Sequence, residues 1–211
     1  MLDYDLNVYQ DSLHRRVRAA YLAGYSVLEK TYREGREKLE QDLKKPTDAD
    51  DIELTSQIIN YEDERWIEQR GALAAMALAL LASLTKSFLD DEKGWMDKTH
   101  PPDPKGYAGK AQLFKQVTEY KARFGIDLEK LDGFETVREV ELARHCCLHR
   151  GGVPNKDYKN KTKNRLLSEY GNIDMTREQL DLLIKELSRF GDLLSAEMRE
   201  FRKRTMQPST S

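Results

Sequence analysis

These 211 residues predict an all-α, single-domain antiparallel helical bundle with two long N-terminal helices. Composition is the first reason. Charged residues make up 34% and hydrophobic residues 39% of the chain, with only 6 Pro and 12 Gly, a balance that suits long amphipathic helices better than short strands joined by turns. The second is periodicity, because apolar residues recur at three- and four-residue spacings over most of the length. The third is size. A chain this long can bury one large helical core, expected over residues 1–205 and followed by a frayed tail at 206–211.

The first helix is expected from about Asn7 to Leu43, with Leu13, Val17, Tyr21, Tyr25, Leu28 and Tyr32 along one stripe. Gly24 in its middle weakens the helix or permits a close crossing. A turn at Pro46–Asp51 then leads into a second long helix, from about Asp50 to Asp90. Ile52, Ile59, Trp66, Leu73, Leu80, Leu84 and Phe88 keep a near-heptad spacing along it, which predicts antiparallel packing on the first helix. Its apolar run, Gly71 to Leu84, reads as a segment buried all round.

Residues 90–109 hold Pro101, Pro102 and Pro104 with three glycines and are expected as an irregular loop. His100 within it is a further polar group to consider. A third helix follows from about Tyr107 to Phe124, closed by Gly125. The fourth carries apolar positions from Thr136 to Leu148, with Asp132 as its expected cap and Gly151-Gly152 before Pro154 as its stop. The last helix opens near Thr176, a suitable cap, and carries the stripe Leu180, Leu183, Ile184, Leu187, Leu194, Met198 and Phe201.

The net charge of -2 excludes a chain that is basic throughout, so nucleic-acid binding would need a local patch. Residues 150–165 supply one: Arg150, Lys156, Lys159, Lys161, Lys163 and Arg165 face only Asp157. The two cysteines, Cys146 and Cys147, are adjacent with no second pair, so neither a zinc site nor a structural disulfide is expected, and a reducing cytoplasmic location is the default. The acidic N-terminus, with Asp3, Asp5 and Asp11, does not read as a signal peptide. The apolar run ending at Leu84 is shorter than a bilayer span, so no membrane association is expected.

Groups able to move protons and hold an anion gather only at the end of the fourth helix, in Arg144-His145-Cys146-Cys147-Leu148-His149-Arg150. His145 and His149 lie four apart and share a face, whereas Arg144 and His149 are separated by about 140° around the helix. Arg144 and His149 therefore converge only if the last turn loosens or if two copies of the helix face each other across a two-fold axis. A histidine at a helix C-terminus is favoured in its charged form by the macrodipole.

Arg144 through His149 resembles the R-x(4-6)-H motif of the HEPN superfamily, with His145 as the polar residue that commonly follows the arginine and Arg150-Gly151-Gly152 as the glycine turn after the histidine. The resemblance covers about residues 134–153. It implies a metal-independent endoribonuclease with no cofactor, leaving 2′,3′-cyclic phosphate ends. His149 would transfer the proton, Arg144 would hold the phosphate, and His145 would orient one of them. It also implies a homodimer through the motif helix, RNA drawn in by the basic residues 150–165, and a defence or toxin role restrained by an inhibitory protein partner. The other reading is a non-catalytic HEPN-like dimeric module that binds RNA, nucleotide or a protein partner.

Overall fold

A computed structural model of the chain describes residues 6–45, 49–94 and 112–206. It is an all-α bundle of six helices: α1 (Leu6–Leu43), α2 (Ala49–Gly94), α3 (Gln112–Phe124), α4 (Phe134–Arg150), α5 (Lys156–Lys161) and α6 (Arg177–Met206). Among the described residues there is no strand, only an isolated bridge between Leu167 and Ile173.

α1 and α2 form a long antiparallel hairpin. Along it the Tyr32 ring stacks on Trp66 at 5.0 Å and 12°, and the Tyr32 hydroxyl donates to Asp63, which also pairs with Arg36. At Gly24 the two helices approach closely, since a Cβ there would lie 3.1 Å from the Leu73 side chain. Val17 and Tyr21 of the predicted α1 stripe are buried. The α2 register differs from the expected one. Ile52 is 47% exposed and Leu80 50% exposed, while Ala74, Ala77, Leu78, Leu81, Phe88 and Leu89 make the core. Nor is Gly71–Leu84 buried all round, because Met76 is 65% exposed on the same side as Leu80. In a run where nearly every residue is Ala or Leu, pattern alone does not choose a face; here Ala74, Ala77 and Ala82 face inward and let neighbouring helices approach. By length and apolar composition α2 is the one described helix able to cross a bilayer, and 44% of its apolar window is buried within the protein.

Residues 90–94, expected to open the irregular loop, continue α2 to Gly94. Glu92 explains the extension: it is buried, accepting hydrogen bonds from Ser195 at 2.5 Å and Arg202 at 2.9 Å, so this turn is tied to α6. The rest of that segment, residues 95–111, including His100 and the expected start of the third helix, lies outside the described residues. α3 ends at Gly125, whose φ is +68°.

α6 begins as the sequence indicates. Thr176 Oγ1 accepts from the Gln179 amide at 3.2 Å, and Gln179 Oε1 accepts from the Thr176 amide at 2.6 Å, a reciprocal capping box. Leu180, Leu183, Leu187, Leu194 and Met198 are all buried. The helix is moored to α1 by Arg18 on Asp181 and by Arg177 on Glu29. The only buried histidine among the described residues, His14, faces Ser188 of α6 at 3.2 Å.

Candidate functional site

α4 is centred in the bundle, lying back along α2 and buried through Phe134, Val137, Val140, Ala143 and Cys146. Its start is not capped by Asp132, which pairs instead with Arg189 of α6 at 2.8 Å. Gly133 takes the cap position with φ +90°, pressed against the Glu186 carbonyl and Phe190 where a Cβ would collide. Close packing of two helices settled the position that side-chain chemistry had suggested for Asp132. The end of α4 matches expectation: Gly151 and Gly152 have φ of +59° and +84°, and the Gly152 amide returns to the Cys146 carbonyl at 3.1 Å.

The motif residues divide between two directions. His145 and His149 are exposed on the outer face of α4, with ring centroids 4.7 Å apart. Arg144 is turned toward α2, and its Nε and Nη2 donate to Glu141 at 3.1 and 2.6 Å. Among the described residues no hydrogen bond or ion pair joins Arg144 to His149. Within one chain the pair diverges, as the about 140° separation requires.

Two cavities lie along the α2–α4 seam. One of about 300 Å³ has Arg144, Glu141 and Val137 on one wall and Ala79, Ser83 and Lys86 on another. The other, about 310 Å³, is bounded by Cys147 of α4, by Gly151 and Gly152 just after it, and by Gly71 and Ala72 of α2. On the outer surface of α4, Leu148 is 55% exposed. Both cysteines are free thiols. Burial, with a smaller effect of Cys146, pushes Cys147 up to about 11, so it is a thiol at neutral pH and a poor nucleophile. Among the described residues no three His, Cys, Asp or Glu side chains group in a way that could hold a metal ion.

The chain from Gly151 to Thr176 folds over α4, with α5 capped by Asn155, whose Oδ1 accepts from the Tyr158 amide at 2.7 Å. Its cations take three different positions. Arg150, Lys156 and Lys159 are exposed and make no ion pair among the described residues. Lys161 pairs with Asp157 at 3.0 Å and Lys163 with Glu135 at 2.6 Å, all four side chains largely exposed. Because Glu135 is in the first turn of α4, Lys163 stands about 20 Å from His149 at 1.5 Å per residue. Arg150 thus adjoins His149 at the end of α4, whereas Lys163 lies beside its first turn.

Arg165, expected among the RNA-binding cations, is committed inside the protein. Its Nε donates to Glu139 and its Nη1 to Glu186, each at 2.7 Å, while its Nη2 donates to Thr136 at 2.8 Å. Glu139 is fully buried, and it also accepts from the Arg165 amide at 2.7 Å and the Tyr158 hydroxyl at 3.1 Å. Burial works to raise the Glu186 carboxyl, but the hydrogen bonds from Arg165 and Thr136 hold it below its ordinary value. The physical reason for the correction is that a buried carboxylate must be matched by a cation and donors, and Arg165 supplies both. Glu139 was the missed signal: it is a carboxylate on the apolar face of α4.

Sequence reasoning also missed Glu141 as the partner of Arg144, although their three-residue spacing on a helix offered it. Lys86 was missed because its distance in sequence from the motif leaves no local signal. Compared with protein-family models, with curated proteins and with solved structures, the chain matches none.

Proposed function

We propose that this protein is a metal-independent endoribonuclease of the HEPN type. The observation that carries the reading is the exposed His145–His149 pair, 4.7 Å between ring centroids, on the last turns of α4 directly after Arg144. His149 takes the proton from a ribose 2′-hydroxyl, the freed oxygen attacks the adjacent phosphorus, and the 5′-oxygen leaves with a proton from a histidinium. The products are a 2′,3′-cyclic phosphate and a 5′-hydroxyl. Arg144 stabilises the charge on the phosphorane, and His145 orients His149 or supplies the second proton.

The site is completed by a second copy. Arg144 of one protomer meets His149 of the other across a two-fold axis, and the exposed Leu148 of α4, with Met76 and Leu80 exposed on α2, offers that contact apolar surface. Arg150, Lys156 and Lys159 attract the RNA backbone, with Lys161 and Lys163 extending the track once their carboxylate partners are exchanged for phosphate. A toxin or defence role with an inhibitory protein partner follows from the resemblance in residues 134–153.

One observation favours the second reading, a dimeric HEPN-like module that binds RNA, nucleotide or a protein without cutting: Arg144 is already satisfied by Glu141. Labelled RNA incubated in EDTA with the wild type, Arg144→Ala and His149→Ala, all verified as folded, separates the two. Cleavage leaving 2′,3′-cyclic ends, lost in both variants, supports the nuclease. A wild type inert on total RNA rejects it in favour of the binding module.

A further inference from the structure

The cavity between α2, α3 and α4 places a second cation with Arg144. Lys86 lines it from α2, is exposed, and makes no ion pair among the described residues. Ala79, Ala82 and Leu113 give the cavity an apolar floor, while Ser83 and the buried Gln116 add polar groups to its wall. Gln116 is held in place through Nε2, which donates to Asp90 at 3.1 Å. The charged lining is two cations against the single carboxylate of Glu141. At about 300 Å³ the cavity is at the lower end of small-molecule sites, and an apolar floor with a few convergent polar groups is their usual construction.

We propose that this cavity is a nucleotide subsite of the RNA substrate. A flat, apolar ring lies on the Ala79–Ala82–Leu113 floor, its phosphate is held between Lys86 and Arg144, and Glu141 gives up Arg144 to that phosphate. An uncharged ligand would leave Lys86 without a role in the site, and an inorganic anion alone would leave the floor unused. The inference rests on the nuclease reading for the identity of the ligand as RNA; the cavity and its two cations stand independently of it. Lys86 thereby becomes a substrate-binding residue some 58 positions upstream of the motif.

The test is calorimetric titration of the full-length protein with each of the four nucleoside 5′-monophosphates, with adenosine as the uncharged control. At least one monophosphate should bind, adenosine at least tenfold more weakly than its monophosphate if that is the one bound. Lys86→Ala and the cavity-filling Ser83→Trp should each weaken binding at least tenfold, with Lys185→Ala as a charge-matched variant remote from the cavity that leaves it unchanged. The bound monophosphate should also compete with a non-cleavable 2′-O-methyl RNA. No monophosphate binding, or binding that neither variant disturbs, overturns the subsite; binding without competition overturns its assignment to RNA. RNA cleavage in EDTA by the same wild-type sample keeps the two ideas apart. Cleavage with no nucleotide in the cavity sinks the subsite alone, and nucleotide bound competitively with RNA that is never cut sinks the nuclease alone.

Discussion

Arg144 is clamped by Glu141 one turn upstream, Nη2 donating at 2.6 Å and Nε at 3.1 Å, so the motif cation is occupied by a carboxylate of its own helix. Both side chains are about one-third exposed, and a pair of that kind is worth about 0–1 kcal/mol. On the proposed nuclease reading, a substrate phosphate displaces Glu141. Glu141→Gln should tighten RNA binding by up to about fivefold at constant salt, read by fluorescence anisotropy. An unchanged Kd would mean that Arg144 does not touch the phosphate.

The exposed apolar residues Met76 and Leu80 of α2 bear on assembly. Wild-type protein should sediment as a dimer at micromolar concentration, and Met76→Glu with Leu80→Glu should sediment as a monomer with unchanged helical circular dichroism. The monomer should cleave RNA at least a hundredfold more slowly, since Arg144 and His149 diverge within one chain. A fully active monomer would place the whole site in a single subunit.

Unpaired and paired cations should behave differently on RNA. Replacing Arg150, Lys156 and Lys159 with alanine should weaken binding and lower the slope of log K against log salt by about 2 if all three meet single-stranded phosphates. Lys163→Ala should cost less, because it also removes the competition with Glu135. Equal losses would show that Lys163 lies on the RNA track as fully as the others.

Arg165 should act on stability. Removing it leaves Glu139 buried and uncompensated, and Arg165→Ala should cost about 3–5 kcal/mol in urea unfolding. A loss below about 1 kcal/mol, combined with weakened RNA binding, would return Arg165 to the binding surface.

His14 gives the protein a pH dependence near neutrality. Burial, opposed in part by Asp11, lowers its pKa below the ordinary 6.5. The folded state therefore favours neutral imidazole, and the unfolded chain binds more protons in between. The contribution is complete above about pH 6.5 and is lost as pH falls through the lowered folded value. The Tm of the wild type should fall across this window by more than that of His14→Phe. Parallel curves would mean that His14 stays neutral, or titrates alike, in both states.

Much of this architecture was legible because it depends on neighbours in sequence. The Thr176–Gln179 box, the glycine stop at Gly151, the α6 stripe and the angular separation of Arg144 from His149 follow from helical geometry and local hydrogen bonding. These terms act within one or two turns and are encoded by spacing.

What the tertiary structure decided concerns residues whose chemistry is identical until they meet their surroundings. Arg165 and Lys159 are both cations of one basic stretch, yet Glu139 drew the first inside because a buried carboxylate requires a matched donor set. Leu80 and Leu81 are adjacent and equally apolar, and only the docking of other helices on α2 placed one in solvent and the other in the core. Asp132 had the chemistry of a cap, but the approach of α6 required the residue without a Cβ, Gly133. Lys86 joined Arg144 for the same reason: pairing across a cavity is set by how helices pack, which no local spacing encodes.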